Sequence, residues 1–156
     1  MKKILFMNFS PNKNGNTYQI GKELLNDHNY EVMQISDYRI SQYGQVYNDD
    51  QIKEVLKKVA EFDTLVIGSP VYWYSVSGLL KTFIYRLYML PEADALNGKE
   101  LYLFAQGSAP DNDTINSITF LANRLSTLMG MKLKNVVVDR SDGRKILSNM
   151  TIEKEI

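Results

Sequence analysis

Residues 4–17 read ILFMNFSPNKNGNT, and this segment indicates how the rest of the chain is built. Its apolar start, residues 4–7, is typical of a buried strand, and a polar turn follows. A helix is predicted for residues 16–27, because apolar side chains recur on one face at Ile20, Leu24 and Leu25. A strand, a turn and a helix start favour an anion site, since the first N–H groups of a helix lack partners within it. The alternative is a capped connection without a ligand, because Asn and Thr are also common caps.

The same alternation of strand and helix patterns continues along the chain. Further strands are predicted at residues 30–35, 64–68, 99–106 and 132–139, and further helices at residues 52–59, 77–88, about 114–129 and 144–149. Strands that alternate with helices indicate βαβ units and a parallel sheet covered on both faces. We therefore predict an α/β protein with one domain over residues 1–156. Its five-stranded parallel sheet is expected in the flavodoxin-like order 2-1-3-4-5, inside a three-layer sandwich.

Composition narrows the possible functions. The chain has 18 basic and 18 acidic residues, and this zero net charge argues against nucleic acid or an anionic membrane as a partner. It contains no cysteine, so disulfides, thiolate catalysis and cysteine-bound metal centres are excluded. We predict no metal site. No apolar run approaches a membrane span, and we expect a cytoplasmic protein.

Three loops are expected to meet at the carboxyl edge of the sheet, at residues 10–17, 69–75 and 106–113. The first resembles a Walker A loop, but Asn16 replaces the essential Lys, so a terminal monophosphate fits it better than a nucleoside triphosphate. Small polar residues and a glycine supply the candidate phosphate contacts, which are Ser10, Asn12, Asn14, Gly15, Asn16 and Thr17.

The second and third loops favour a flat ligand. Apolar and aromatic residues follow the third strand directly, at Pro70, Val71, Tyr72, Trp73 and Tyr74. They suit a planar ring, and the less favoured alternative is that Tyr72, Trp73 and Tyr74 pack on a neighbouring loop or a second subunit. Gln106 and Gly107 face them from the fourth strand. A ligand with a phosphate at one end and a planar ring system at the other is indicated, and FMN satisfies that geometry.

Two motifs also carry a resemblance to a family. Residues 10–17, SPNKNGNT, and residues 69–84, SPVYWYSVSGLLKTFI, resemble the phosphate loop and the second FMN segment of flavodoxin-like NAD(P)H-dependent FMN oxidoreductases. The resemblance covers residues 1 to about 138. It implies FMN, with the phosphate at Ser10, Asn12, Asn16 and Thr17, the ring against residues 70–74, and the far ring edge near Gln106 and Gly107.

The resemblance also implies an activity. Hydride would pass from NADH or NADPH through FMN to a small acceptor such as a quinone, an azo or nitro compound, or free flavin. The flavin carries this chemistry, so no catalytic side chain is predicted. A homodimer with the flavin near the subunit interface is expected. The alternatives are a flavodoxin-type electron carrier, against which the neutral charge and aromatic loop count, and a flavodoxin-like binding module without FMN.

The chain departs from the family in two ways. Some relatives carry an iron–sulfur cluster on a cysteine motif after the second strand, and this chain has no cysteine there. The second FMN segment usually ends in Asp-Arg, and here it ends in Tyr85-Arg86. Lys81 and Arg86 are interpreted as charges on the exposed face of a helix. The choice between NADH and NADPH is left open among three cations, Lys13, Arg39 and Arg140.

Overall fold

A computed structural model describes residues 1–154. Its strands are β1 Ile4–Asn8, β2 Tyr30–Gln34, β3 Thr64–Tyr72, β4 Ser75–Val76, β5 Glu100–Gly107 and β6 Lys132–Arg140. Its α-helices are α1 Asn16–Leu24, α2 Ile52–Val59, α3 Gly78–Arg86, α4 Asn112–Met129 and α5 Arg144–Asn149. Short 3₁₀ helices lie at Ile35–Asp37 and Pro91–Leu96.

Five parallel strands form the sheet in the order β2-β1-β3-β5-β6. The strand β4 is a short addition that pairs antiparallel with the end of β3. Without β4 the strands follow the order 2-1-3-4-5, so the predicted flavodoxin-like topology is confirmed. The order reverses between β1 and β3, which is where open parallel sheets form their ligand crevice.

Both faces of the sheet are covered, as the apolar runs in the central strands predict. On one face, Ile20 of α1 and Ile146 of α5 pack on Phe6 and Phe104 of the sheet. On the other face, α2, α3 and α4 bury a larger cluster around Leu65. Within residues 1–154, no helix has the length and apolar content needed to cross a membrane.

The ends of β3 and α1 differ most from the predicted boundaries. The strand β3 continues to Tyr72, beyond the predicted end at Gly68, because residues Ser69 and Pro70 still pair with β5. The helix α1 ends at Leu24 and not at Asp27, and a turn follows in which His28 N–H donates to Leu25 O at 2.9 Å.

The interpretation of Arg86 as an exposed charge was wrong. Its guanidinium donates to both carboxylate oxygens of Asp50, at 2.5 and 3.2 Å, and to Ser41 O at 2.9 Å. Burial raises the pKa of the Asp50 carboxyl, but the hydrogen bonds from Arg86, Ser41 and Ile52 outweigh burial and hold that pKa far below its usual value. The long connection before α2 is therefore fixed to the carboxyl end of α3, at the opposite end of α3 from the β3–β4 turn.

Candidate functional site

The three predicted loops meet at the carboxyl edge of the sheet. Phe9 N–H donates to Gly68 O at 2.9 Å, which joins the end of β1 to β3. The Ser77 hydroxyl donates to Phe9 O at 2.7 Å and fixes the start of α3 beside the first loop. Gln106 Nε2 donates to Thr17 Oγ1 at 3.0 Å, which links the third loop to α1. These bonds hold the residues that flank the first and second loops together, and the Gln106–Thr17 bond joins the first loop to the third directly.

Two amide side chains, of the buried Asn8 and the half-buried Gln34, hold the first loop. Asn8 Nδ2 donates to Gln34 Oε1 at 2.7 Å, and Asn8 Oδ1 accepts from Ser10 N–H at 3.1 Å. Gln34 Nε2 in turn donates to Ser10 O at 2.7 Å. Both backbone groups of Ser10 are therefore fixed by side chains at the ends of β1 and β2. Sequence reasoning missed both residues, although Asn8 and Gln34 are register partners at the edge where ligands bind.

The start of α1 presents unused hydrogen-bond donors. Gly15 occupies the N-cap position and supplies no side-chain cap. Among residues 1–154, no acceptor receives the backbone N–H groups of Asn16, Thr17 or Tyr18. The hydroxyls of Ser10 and Thr17 each accept one hydrogen bond and donate none within the described chain. Free N–H groups at the positive end of a helix dipole, with two hydroxyl hydrogens beside them, form a site for an anion.

The predicted phosphate residues differ in exposure. Asn12, Asn14 and Asn16 are exposed at the rim, and Gly15 is half-buried between them. Ser10 and Thr17 are buried, with 3% and 0% of their surface accessible. The loop turns tightly at Gly15, whose N–H donates to Asn12 O at 3.3 Å. The exposed amides therefore line the mouth of the site, and the two hydroxyls lie at its floor.

The second loop, predicted at residues 69–75 without a defined conformation, is the turn of a β-hairpin formed by β3 and β4. Tyr72 pairs with Ser75, and the two residues between them, Trp73 and Tyr74, have φ values of 47° and 62°. A two-residue hairpin turn with two positive φ values is a type I′ turn, which normally selects Asn and Gly. Large side chains at these positions are conformationally strained. The turn displays its aromatic rings, since Trp73 is 93% exposed and Tyr74 is 69% exposed.

Two glycines allow the close approach of the strands under this hairpin. A Cβ atom on Gly107 would lie 2.9 Å from Val71 Cβ, and one on Gly68 would lie 2.9 Å from Thr17 Cγ2. Real Cβ atoms are not found at such distances. Gly107 therefore allows the third loop to pack against the second. Gly68 allows the start of α1 to pack closely on β3.

The third loop leads into α4 through an acidic cap. Asp111 Oδ1 accepts from Thr114 N–H at 2.8 Å. The bonds from Thr114 lower the pKa of the Asp111 carboxyl. No group of three or more His, Asp or Glu side chains in residues 1–154 is placed to hold a metal ion.

Comparisons with known proteins place the chain among flavoproteins. A family model described as NADPH-dependent FMN reductase matches residues 2–135. An iron–sulfur flavoprotein of Archaeoglobus fulgidus is 33% identical over 96 residues, which cover 54% of this chain and 48% of the relative. A protein of Bacillus subtilis (strain 168), whose name describes an NAD(P)H-dependent FMN-containing oxidoreductase, is 26% identical over 118 residues, which cover 70% of this chain and 64% of the relative. The chain thus spans about half to two thirds of the length of these relatives.

Solved structures share the fold. An NADH:FMN oxidoreductase, EMOB, solved in its apo form, superposes with a TM-score of 0.72 at 22% identity, covering 96% of this chain and 86% of the other. At that identity the likeness shows the flavodoxin-like fold alone.

Proposed function

This chain belongs to the NADPH-dependent FMN reductase family, and we propose on that basis that it is an FMN-dependent NAD(P)H oxidoreductase. It would take hydride from NADH or NADPH and reduce a small acceptor such as a quinone, an azo or nitro compound, or free flavin. One observation carries the proposal. The uncapped start of α1, with its free donors, is bonded through Thr17 and Gln106 to the strand that lies beside the aromatic hairpin.

The residues at the start of α1 fit the phosphate of FMN. The free N–H groups of Asn16 and Thr17 and the hydroxyls of Ser10 and Thr17 are neutral donors that suit an oxyanion. The exposed amides of Asn12, Asn14 and Asn16 add side-chain contacts at the rim. The cation within this loop, Lys13, is paired with Asp37 at 2.5 Å. A site built from neutral donors suits a monophosphate better than a triphosphate.

The residues of the hairpin and third loop fit the isoalloxazine ring. Pro70 is buried and Val71 is half-buried, so Val71 offers the accessible part of an apolar wall, and Gly107 lies directly against it. The exposed rings of Tyr72, Trp73 and Tyr74 stand beyond that wall and suit stacking with a second planar molecule. Bound FMN would supply the redox chemistry, accepting hydride from the nicotinamide and passing reducing equivalents to the acceptor. The chain would bind FMN, orient it and shape the face where the nicotinamide and the acceptor stack.

We further propose a homodimer that uses the face between α3 and α4. A cavity of about 450 Å³ opens there, and its lining is almost entirely apolar. Tyr85, Tyr88 and Leu128 at its margin are each more than half exposed. Such a continuous apolar face on a protein with no net charge favours association. The variant Leu128→Glu is expected to shift the sedimentation coefficient toward a monomer, and a wild-type protein that sediments as a monomer would overturn this part of the proposal.

The experiment that tests the function compares FMN with riboflavin, which lacks the phosphate. We expect apoprotein to bind FMN with a dissociation constant at least about 100-fold below that for riboflavin, because charge-assisted bonds to the phosphate contribute to FMN binding alone. Asn16→Ala is expected to reduce the ratio of the riboflavin dissociation constant to the FMN dissociation constant. The matched control is Asn123→Ala, which changes an exposed asparagine on a helix. A protein that binds neither flavin is not an FMN enzyme.

A second assay separates an enzyme from an electron carrier. The FMN-loaded protein is mixed with NADH or NADPH and a quinone, and nicotinamide oxidation is followed. An oxidoreductase consumes the nicotinamide in many turnovers, whereas a carrier that depends on a separate reductase shows almost none.

A further inference from the structure

Arg140 ends β6 next to the third loop. It is the register partner of Gly107, the last residue of β5. Side chains alternate across a strand, so Arg140 leaves the sheet on the same face as Val138, which is buried in the cluster under α3 and α4. That face also carries Val71, which lies against Gly107. Arg140 therefore flanks the surface on which the flavin ring is proposed to rest.

The guanidinium of Arg140 is exposed and has no partner in the described part of the chain. No hydrogen bond or ion pair of its side chain occurs among residues 1–154. The two acids closest in sequence are engaged by the last helix. Asp139 accepts from Lys145 N–H at 2.7 Å, and Asp142 pairs with Arg144 at 3.5 Å. Neither carboxylate pairs with Arg140, so the guanidinium donors of Arg140 stay available to bind an anion beside the site.

The other two candidate cations are already engaged. Lys13 Nζ lies 2.5 Å from Asp37. Arg39 pairs with Asp49 at 2.9 Å, and its guanidinium lies 4.4 Å from the centre of the Tyr47 ring. A cation that is already paired with a carboxylate gains less free energy by binding a phosphate than an unpaired cation does, because the existing ion pair must first be broken. Of the three cations, Arg140 alone is both unpaired and adjacent to the third loop.

We propose that Arg140 binds a phosphate group of the reduced nicotinamide dinucleotide and so directs that co-substrate onto the flavin. The inference rests on the proposed oxidoreductase function. A guanidinium matches phosphate with two parallel N–H donors, which an ammonium does not reproduce. The phosphate is either the pyrophosphate, which NADH and NADPH share, or the 2′-phosphate, which only NADPH carries.

Steady-state kinetics of R140A with both dinucleotides distinguishes these two sources. Contact with the 2′-phosphate predicts that the KM for NADPH rises about 10- to 100-fold while the KM for NADH stays unchanged. Contact with the pyrophosphate predicts that both rise together. R140K should recover only part of the loss, because it keeps the charge and loses the paired donors. The control is R144A, which removes an exposed arginine that is four residues away and pairs with Asp142.

Calorimetry supplies a measurement that needs no turnover. Wild type and R140A, both loaded with FMN, are titrated with adenosine 2′,5′-bisphosphate and with ADP-ribose. Weaker binding of either probe to R140A, with FMN affinity unchanged, supports the inference even where the wild type oxidises no nicotinamide. An inactive wild type overturns the proposed function alone. The inference is overturned where R140A changes neither KM nor either binding constant more than R144A does.

Discussion

The amide of Gln106 donates to the hydroxyl of Thr17 across 3.0 Å, between two buried residues that lie 89 positions apart in the chain. Because Gln106 is the donor, the hydroxyl hydrogen of Thr17 stays available for another acceptor. The bond therefore orients a donor at the start of α1 and also connects that start to the loop beside the hairpin. It joins the two ends of the proposed FMN site.

Removing the Thr17 hydroxyl is expected to weaken FMN binding. Thr17→Val keeps the shape but leaves Gln106 Nε2 without its acceptor, and the binding free energy of FMN should become less favourable by about 1–3 kcal/mol. Gln106→Leu should weaken FMN binding less than Thr17→Val does, because the Thr17 hydroxyl remains. Fluorescence titration of both single variants and the double variant gives their coupling energy. Additive effects would show that the bond does not orient the donor.

Gln34 is expected to control FMN affinity without touching FMN. Gln34→Leu removes the bond to Ser10 O and leaves Asn8 Nδ2 unpaired, so the first loop should loosen and FMN binding should weaken about tenfold. Ser36→Ala is the matched control, because Ser36 Oγ also accepts from Gln34 and Ser36 lies outside that loop. Riboflavin affinity should change little in Gln34→Leu. Equal losses for FMN and riboflavin would point to general destabilisation.

The strained hairpin is expected to lower the stability of the fold, and its exposed aromatic rings are expected to support activity. Replacing Trp73 by Asn and Tyr74 by Gly installs the residues that a type I′ turn prefers, and unfolding should become harder by about 1–2 kcal/mol. The same change removes two exposed rings, so kcat/KM for a quinone should fall about tenfold or more. Phe120→Gln removes an exposed ring on α4 and should affect neither quantity. A hairpin variant with full activity would show that the rings take no part in substrate binding.

The Asp50–Arg86 pair predicts a specific dependence of stability on pH. The folded-state pKa of Asp50 lies below its ordinary value of 3.8, so its contribution is present above that pH and is lost as the pH falls toward the folded-state pKa. Asp50→Asn should lower the free energy of unfolding by about 2–4 kcal/mol near neutral pH.

Urea unfolding from about pH 7 down to about pH 2 checks this prediction. The difference in the free energy of unfolding between wild type and Asp50→Asn should disappear as the pH falls. Asp49→Asn is the control, because its pair with Arg39 is exposed and should contribute about 0–1 kcal/mol. A gap that is constant across this range would contradict the assigned shift in the Asp50 pKa.

The strand order could be predicted from the sequence because it depends on local patterns. Apolar runs such as residues 64–68 specify strands that are covered on both faces, and the helices between them force parallel pairing with crossovers. The three loops then had to meet at one edge, as Gln106 and Thr17 show. The topology follows from strands and helices that can each be predicted from a short stretch of the sequence.

The remaining structural features depend on contacts between residues that lie far apart in the sequence. The Asp50–Arg86 pair joins residues 36 positions apart, and on its own helix Arg86 looks like a solvated charge. The hairpin was missed because Trp73 and Tyr74 are poor residues for the turn that they form. Asn8 and Gln34 were assigned no role from the sequence, although their parallel register places them opposite each other at the ligand edge. The residues expected to contact the ligand stay a prediction, and nothing in the sequence indicated that Asn8 and Gln34 hold the first loop.

Reduction of the flavin by a nicotinamide dinucleotide tests the central claim most directly. The FMN-loaded protein is titrated anaerobically with NADPH and separately with NADH, and the visible absorption band of the flavin is followed. The predicted result is bleaching at one equivalent of NADPH or NADH per bound FMN, and recovery of the band when a quinone is added. A protein that takes up no FMN, or whose bound flavin is bleached by dithionite but by neither dinucleotide, would contradict the assignment as an NAD(P)H oxidoreductase.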